Sequence, residues 1–153
     1  MGYGCDGFSR SDDNIEYLKA QGFKKVVDLK DADAVLEHIA RFDFILSTAP
    51  ENLDWQTFMA CLKPKGRLHL VGVPMSELNL GAFPLIAKQR CLSGSFSAPP
   101  AVIESMLDFV VRNRIQPKVE VFPVHRVNQA IDDLQSGRLR YRAVVDMSGL
   151  DEG

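Results

Sequence analysis

The chain has 153 residues, 46% hydrophobic and 25% charged, which is enough for one domain with a proper core and short for two. A net charge of -2 at pH 7, with scattered lysines and arginines, leaves no broad positive field for nucleic acid or an anionic membrane. No apolar run approaches the ~20 residues that span a bilayer, and no basic segment leads into an apolar one, so neither a membrane span nor a secretory signal is expected and the location reads as cytoplasmic.

Residues 2–7 spell GYGCDG, a literal Gly-x-Gly-x-x-Gly, with Asp28 standing about twenty residues on, where a ribose-binding acid would be wanted. That turn works by carrying the chain from a strand to a helix N-terminus that faces the phosphates, and only Met1 precedes Gly2. The cap and turn formers over residues 5–14 put the helix start near Asp12 or Asp13, so the glycines read as a glycine-rich chain start.

Residues 3–8 are a candidate short strand, and IEYLKAQGF is a predicted helix stopped at Gly22. KKVVDL follows as a strand, DADAVLEHIA as a helix with acids in its first turn, and FDFILSTA as an apolar run suited to burial on both faces of a parallel sheet. NLDWQTFMACLKP is a helix with Leu53, Phe58 and Leu62 on its apolar stripe, closed by Pro64 and Gly66, and GRLHLVGVP is the next strand. A proline-interrupted connection leads to the strand CLSGSFS and then to the helix PPAVIESMLDFVVRNRI, with proline in its first turn. VEVFPV, a helix over HRVNQAIDDLQSG closed by Gly137, and RAVVDM complete the series.

This rhythm predicts an α/β fold, a doubly wound parallel sheet with helices on both faces. Ligands of such sheets bind outside the carboxyl ends of the strands, which here read GFSRS, VVD, STAP, VGVP and SGSF. Cys5, Cys61 and Cys91 are isolated and read as small buried apolar residues; with His38, His69 and His125 far apart, no local metal or nucleophile pattern emerges.

The ordered blocks FDFILSTAP, LKPKGRLHLVGVP, FPLIAKQRCLSGSF and MLDFVVRNRIQPKVEVFPVHRVNQAIDDLQSGRLRYRAVVDM resemble the cofactor-binding and C-terminal part of the zinc-dependent medium-chain alcohol dehydrogenases. The NADP-using branch that includes cinnamyl alcohol dehydrogenases is the most similar. The resemblance implies an incomplete Rossmann-like doubly wound sheet without its first strand and glycine-rich turn, a partial nucleotide-binding domain over 1–118, and a C-terminal strand-helix-strand extension over 119–153. It aligns GFSRS with the end of the second strand, which makes GYGCDG a coincidence.

By that resemblance, Ser9, Arg10 and Ser11 form the pocket for the adenosine 2'-phosphate, two hydroxyls and a planar cation suiting a dianion where an NAD enzyme uses a carboxylate. The branch often places a lysine a few positions later, whereas Asp12, Asp13 and Asn14 follow here. Thr48 and Ala49 would border the adenosine and ribose, Val71, Gly72 and Val73 the nicotinamide, and Gly94, Ser95 and Phe96 its carboxamide. Arg142 would reach the pyrophosphate, with Arg140 as the competing choice.

The family's catalytic zinc is held by a Cys, a His and a second Cys, mostly in an N-terminal domain, so no zinc ligand and no catalytic residue is expected in this chain. NADP is the expected cofactor, held weakly by the chain alone because hydrogen bonds to the pyrophosphate, worth about 1.5–3 kcal/mol each, are missing. In the strand order 3-2-1-4-5-6 the absent strand is central, so the halves close directly, are bridged by another chain, or attach loosely. A homodimer through residues 91–96 is expected by the same analogy. The implied function is the cofactor-binding portion of an NADP-dependent zinc alcohol dehydrogenase, an alcohol/aldehyde oxidoreductase working by hydride transfer, without turnover on its own. The alternatives are a non-catalytic module binding a nucleotide or partner through its exposed edges, or a methyltransferase-like protein in which GYGCDG cradles a cofactor.

Overall fold

Strands and helices alternate along residues 4–139 and 141–149, the residues described by a computed structural model of the chain. They divide into two units, Met1–Ser97 and Ala98–Gly153. The first contains β1 (Asp6–Ser9), α1 (Asp12–Ala20), β2 (Lys25–Asp28), α2 (Ala32–Leu36), β3 (Phe42–Ser47), α3 (Trp55–Cys61), β4 (Leu62–Leu70), α4 (Phe83–Ile86) and β5 (Cys91–Gly94). Every strand pairing in it is parallel: β1 with β2, β3 with β4, and β4 with β5.

The break expected in the sheet is present. The order is β1-β2 in one sheet and β3-β4-β5 in another, and among the described residues no strand pairs with both β1 and β3. Side chains close the seam directly. Phe8 of β1 meets the rings of Phe42 and Phe58 edge-on, each at 5.5 Å between centroids, and His38 stacks on Phe42 at 5.8 Å. One apolar core takes Val27 and Val35 from the β2–α2 side and Ile45, Trp55, Phe58, Met59, Leu62 and Leu68 from the other, so burial of shared surface joins the two halves.

The third glycine of GYGCDG lies inside β1, beneath α1, where a Cβ on Gly7 would stand 3.1 Å from Leu18 and 3.2 Å from Phe23. It is a packing glycine in a strand. Gly2 and Tyr3 lie outside the described residues. The first helix begins at Asp12, as its cap-rich approach indicates, with Ser11 in the N-cap position and Asp12 and Asp13 in the first turn. Gly22 (φ +91°) and Gly137 (φ +69°) supply the left-handed stops that end the first and last helices.

Two expectations are corrected. Burial on both faces of FDFILSTA does not hold: Ile45 and Ser47 are buried, whereas Phe44 and Leu46 are each 53% exposed. The apolar core lies on one face only, so the period-two alternation of a strand turns the other side chains outward. Pro64 and Gly66 do not follow a helix. The helix ends at Cys61, and β4 starts at once with the fully buried Leu62. The pairing shifts between Phe42↔Leu62 and Phe44↔Arg67, absorbing Pro64, Lys65 (φ +63°) and Gly66 as an irregularity where a residue without an N–H is tolerated. The Arg90 guanidinium secures this corner by donating to the carbonyls of Ala60 (3.1 Å) and Leu62 (2.6 Å).

The second unit holds α5 (Pro100–Arg112), β6 (Val119–Pro123), a single 3-10 turn (Val124–Arg126), α6 (Val127–Gln135) and β7 (Arg142–Asp146). β6 and β7 are parallel, Val119 opposite Arg142, which makes the expected strand-helix-strand segment. No helix among the described residues is long and apolar enough to cross a membrane.

Candidate functional site

Because the strands of the first unit run parallel within each sheet, their carboxyl ends present Ser9, Asp28, Ser47, Leu70 and Gly94 as successive tips. Nearly all the site residues read from the sequence fall on these tips or just past them. Ser9 ends β1, with Arg10 and Ser11 in the turn to α1; the Ser9 hydroxyl accepts from the Ser11 amide at 3.2 Å, and the Ser11 side chain makes no helix cap. Thr48 and Ala49 leave β3, Val71, Gly72 and Val73 leave β4, and Gly94, Ser95 and Phe96 close β5. Arg142 opens β7 in the second unit, exposed and paired in register with Val119. Arg140 lies outside the described residues.

The β3 and β4 tips are locked to each other. The Ser47 carbonyl accepts from the amides of both Val71 (2.9 Å) and Gly72 (3.1 Å), drawing the β4 exit over the Thr48–Ala49 backbone. A Cβ on Gly72 would stand 2.6 Å from the Thr48 carbonyl carbon and 2.7 Å from that of Ala49, so only glycine fits there. The β5 tip is joined next, the Ser95 amide donating to the Leu70 carbonyl at 3.1 Å.

Three side-chain arrangements at the tips were not legible in the sequence. Arg10 forms an ion pair with Glu51, four residues beyond the end of β3, across the break between the two sheets. Lys30, just past β2, pairs with Asp12 at 3.1 Å while its amide donates to Asp28 Oδ1 at 2.8 Å. His69 of β4 lies between two serines of the β5 segment, Nδ1 2.9 Å from Ser93 Oγ and Nε2 2.9 Å from Ser95 Oγ, with its ring stacked on Phe44 at 6.1 Å. A neutral imidazole donates from one nitrogen and accepts at the other, and either serine can complement it. The β4–β5 register that sets His69 opposite Ser93 brings the trio together.

The thiols do not converge. Cys61 is buried with its Sγ on the Val35 carbonyl at 3.8 Å, and burial raises its pKa while the nearby Arg90 charge pulls the other way. Cys91 is half-buried, and Cys5 is exposed, which corrects the expectation that all three are buried. Cys5 borders a shallow hollow with Gly4, Gly22, Phe23 and Lys24, at the amino ends of β1 and β2 and so at the opposite end from the tips.

The family described as zinc-binding dehydrogenase matches residues 1–112. The chain belongs to that family. The chain is 37% identical over 148 residues to the aldehyde reductase AdhA of Synechocystis sp., covering 95% of itself and 44% of that protein. It is 34% identical over 109 residues to NADP-dependent alcohol dehydrogenase C 1 of Mycolicibacterium smegmatis, covering 71% of itself and 31% of the relative. Among solved structures it superposes on a cinnamyl alcohol dehydrogenase of Sorghum bicolor with a TM-score of 0.82 and 29% identity, over 94% of itself and 41% of that chain. It therefore spans less than half of each of these relatives.

The family description implies zinc, and the described residues do not fit it: no three His, Cys, Asp or Glu side chains among them come together as a ligand set. They do fit part of a nicotinamide nucleotide, because hydroxyls, a guanidinium and small-residue strand ends form one row along the tips.

Proposed function

We propose that the strand tips form the adenosine-to-nicotinamide floor of an NADP site in an alcohol/aldehyde oxidoreductase. The observation that carries this reading is the row itself: Ser9, Arg10 and Ser11 at one end, Thr48 and Ala49 pressed under Gly72 in the middle, Gly94, Ser95 and Phe96 at the other end. Bound nicotinamide supplies the carbon that accepts or gives up hydride. The residues of this chain orient that ring and hold the charges of the adenosine end. Ser9, Arg10 and Ser11 take the 2'-phosphate, Val71 and Val73 flank the ring across Gly72, and the backbone of residues 94–96 meets the carboxamide. His69 fixes the Ser95 hydroxyl at the β5 tip through its 2.9 Å contact.

On this reading the part played by the chain is nucleotide binding, without turnover of its own. A cytoplasmic location and a homodimer joined along residues 91–96 belong to the same reading; β5 ends the order β3-β4-β5 with its outer edge unpaired by any described strand, which supports the second. Calorimetric titration with NADP and NAD tests the assignment. NADP is expected to bind more tightly than NAD, and an equal or inverted preference counts against it. Sedimentation showing monomer alone at high concentration counts against the dimer.

A further inference from the structure

The one guanidinium placed for a 2'-phosphate already holds an acid. Arg10 pairs with Glu51, and neither side chain is sequestered, at 49% and 58% exposed. The pair joins the end of β1 to the segment leaving β3, two strands that are not hydrogen-bonded neighbours, and so spans the adenosine end of the tip row. A guanidinium offers carboxylate and phosphate the same planar set of donors, so a phosphate arriving between Ser9 and Ser11 meets a guanidinium already paired through one Nη. The surroundings do not compensate. Asp12 and Asp13 open α1, Asp28 ends β2, and Lys30 is engaged by Asp12 at 3.1 Å.

We propose that Glu51 is the internal competitor of the 2'-phosphate: it occupies Arg10 when the site is empty and thereby sets how strongly the protein prefers a 2'-phosphorylated nucleotide. The inference rests on the reading of the tips as an NADP site and adds a specificity-setting residue to it. A nucleotide with a free 2'-hydroxyl does not need the guanidinium, so Glu51 acts on the ratio of the two affinities and not on adenosine binding as such. Exposed ion pairs are worth little in water, so the expected effect of neutralising Glu51 is about two- to fivefold.

The test is Glu51→Gln in the full chain, titrated with adenosine 2',5'-bisphosphate and with adenosine 5'-monophosphate while the amide resonances of the tips are followed. The bisphosphate is expected to bind about two- to fivefold more tightly to the variant, with the monophosphate unchanged and the gain shrinking as salt is added. The gain is expected to vanish in an Arg10→Gln background. Unchanged bisphosphate affinity overturns the inference, as does an equal gain for both nucleotides or a gain that survives without Arg10, while the NADP reading stands in each case. If neither nucleotide moves the tip resonances in either protein, the NADP reading itself falls and the inference falls with it. Glu51 is an exposed turn residue, and retention of the native Trp55 fluorescence and urea midpoint verifies that both variants are folded.

Discussion

Replacing Gly72 with alanine puts the packing of the tips under direct test. The added Cβ would overlap the backbone of Thr48 and Ala49, and no flexible side-chain end is among the atoms it meets. Either β4 lifts off, weakening the two hydrogen bonds from Val71 and Gly72 to the Ser47 carbonyl, or the segment leaving β3 shifts. Forcing extra volume into a packed site costs about 1–3 kcal/mol, and a weakened amide hydrogen bond adds about 1 kcal/mol, so a loss of about 2–4 kcal/mol is expected. Trp55, the single tryptophan and only 2% exposed in the shared core, reports unfolding of this unit in urea. Gly81→Ala is the control, because its nearest heavy atom would be 3.9 Å away; a change within about 0.5 kcal/mol is expected there. If Gly72→Ala also stays within about 0.5 kcal/mol, the claim that the β3 and β4 tips are locked backbone to backbone is refuted.

Arg90→Met removes the donors held by the Ala60 and Leu62 carbonyls and is expected to cost about 2–3 kcal/mol in urea unfolding; a loss below about 0.5 kcal/mol contradicts the clamp at the α3–β4 corner. A thiol reagent is expected to modify exposed Cys5 in the native chain and Cys61 only on unfolding, and equal rates contradict their assigned burial. The folded pKa of Cys61 is raised, so its contribution to stability is full below the ordinary thiol value of 9.0 and is lost as pH rises through the folded value; Cys61→Ala is expected to flatten that alkaline fall. Asp146 runs the other way. The Ser148 amide donates to it at 3.0 Å and lowers its pKa, so its small contribution is present above the ordinary carboxylate range and lost as pH falls. Asp146→Asn is expected to remove that part of the acid dependence, measured as urea midpoints between about pH 5 and 2.

Helix stops and strand cores were readable because they are local. Gly22 and Gly137 end helices through their own backbone freedom, and KVVD, FDFILS and RAVVD carry enough β-branched or aromatic character to declare strands. Pro64 and Gly66 misled because the residues that stop a helix also suit an irregular strand, and only the buried pairing of Leu62 opposite Phe42 decides between them. The two-sided burial of β3 failed for a similar reason: an apolar run tells which residues want cover, not what supplies it. At the site, the tips were legible as positions, since parallel strands put their carboxyl ends together. The contacts between them were not. Arg10–Glu51, Lys30–Asp12 and Ser93–His69–Ser95 each join residues from different strands or loops, and no spacing within one segment encodes them.

The most direct measurement of the central claim is an amide chemical-shift map of the full chain with NADP and with NAD at about millimolar concentration. The expected result is a contiguous response at residues 9–11, 48–49, 71–73 and 94–96, with the changes at Ser9, Arg10 and Ser11 larger for NADP than for NAD. A response confined to the Gly4–Cys5 end of β1, or none at all, would contradict it.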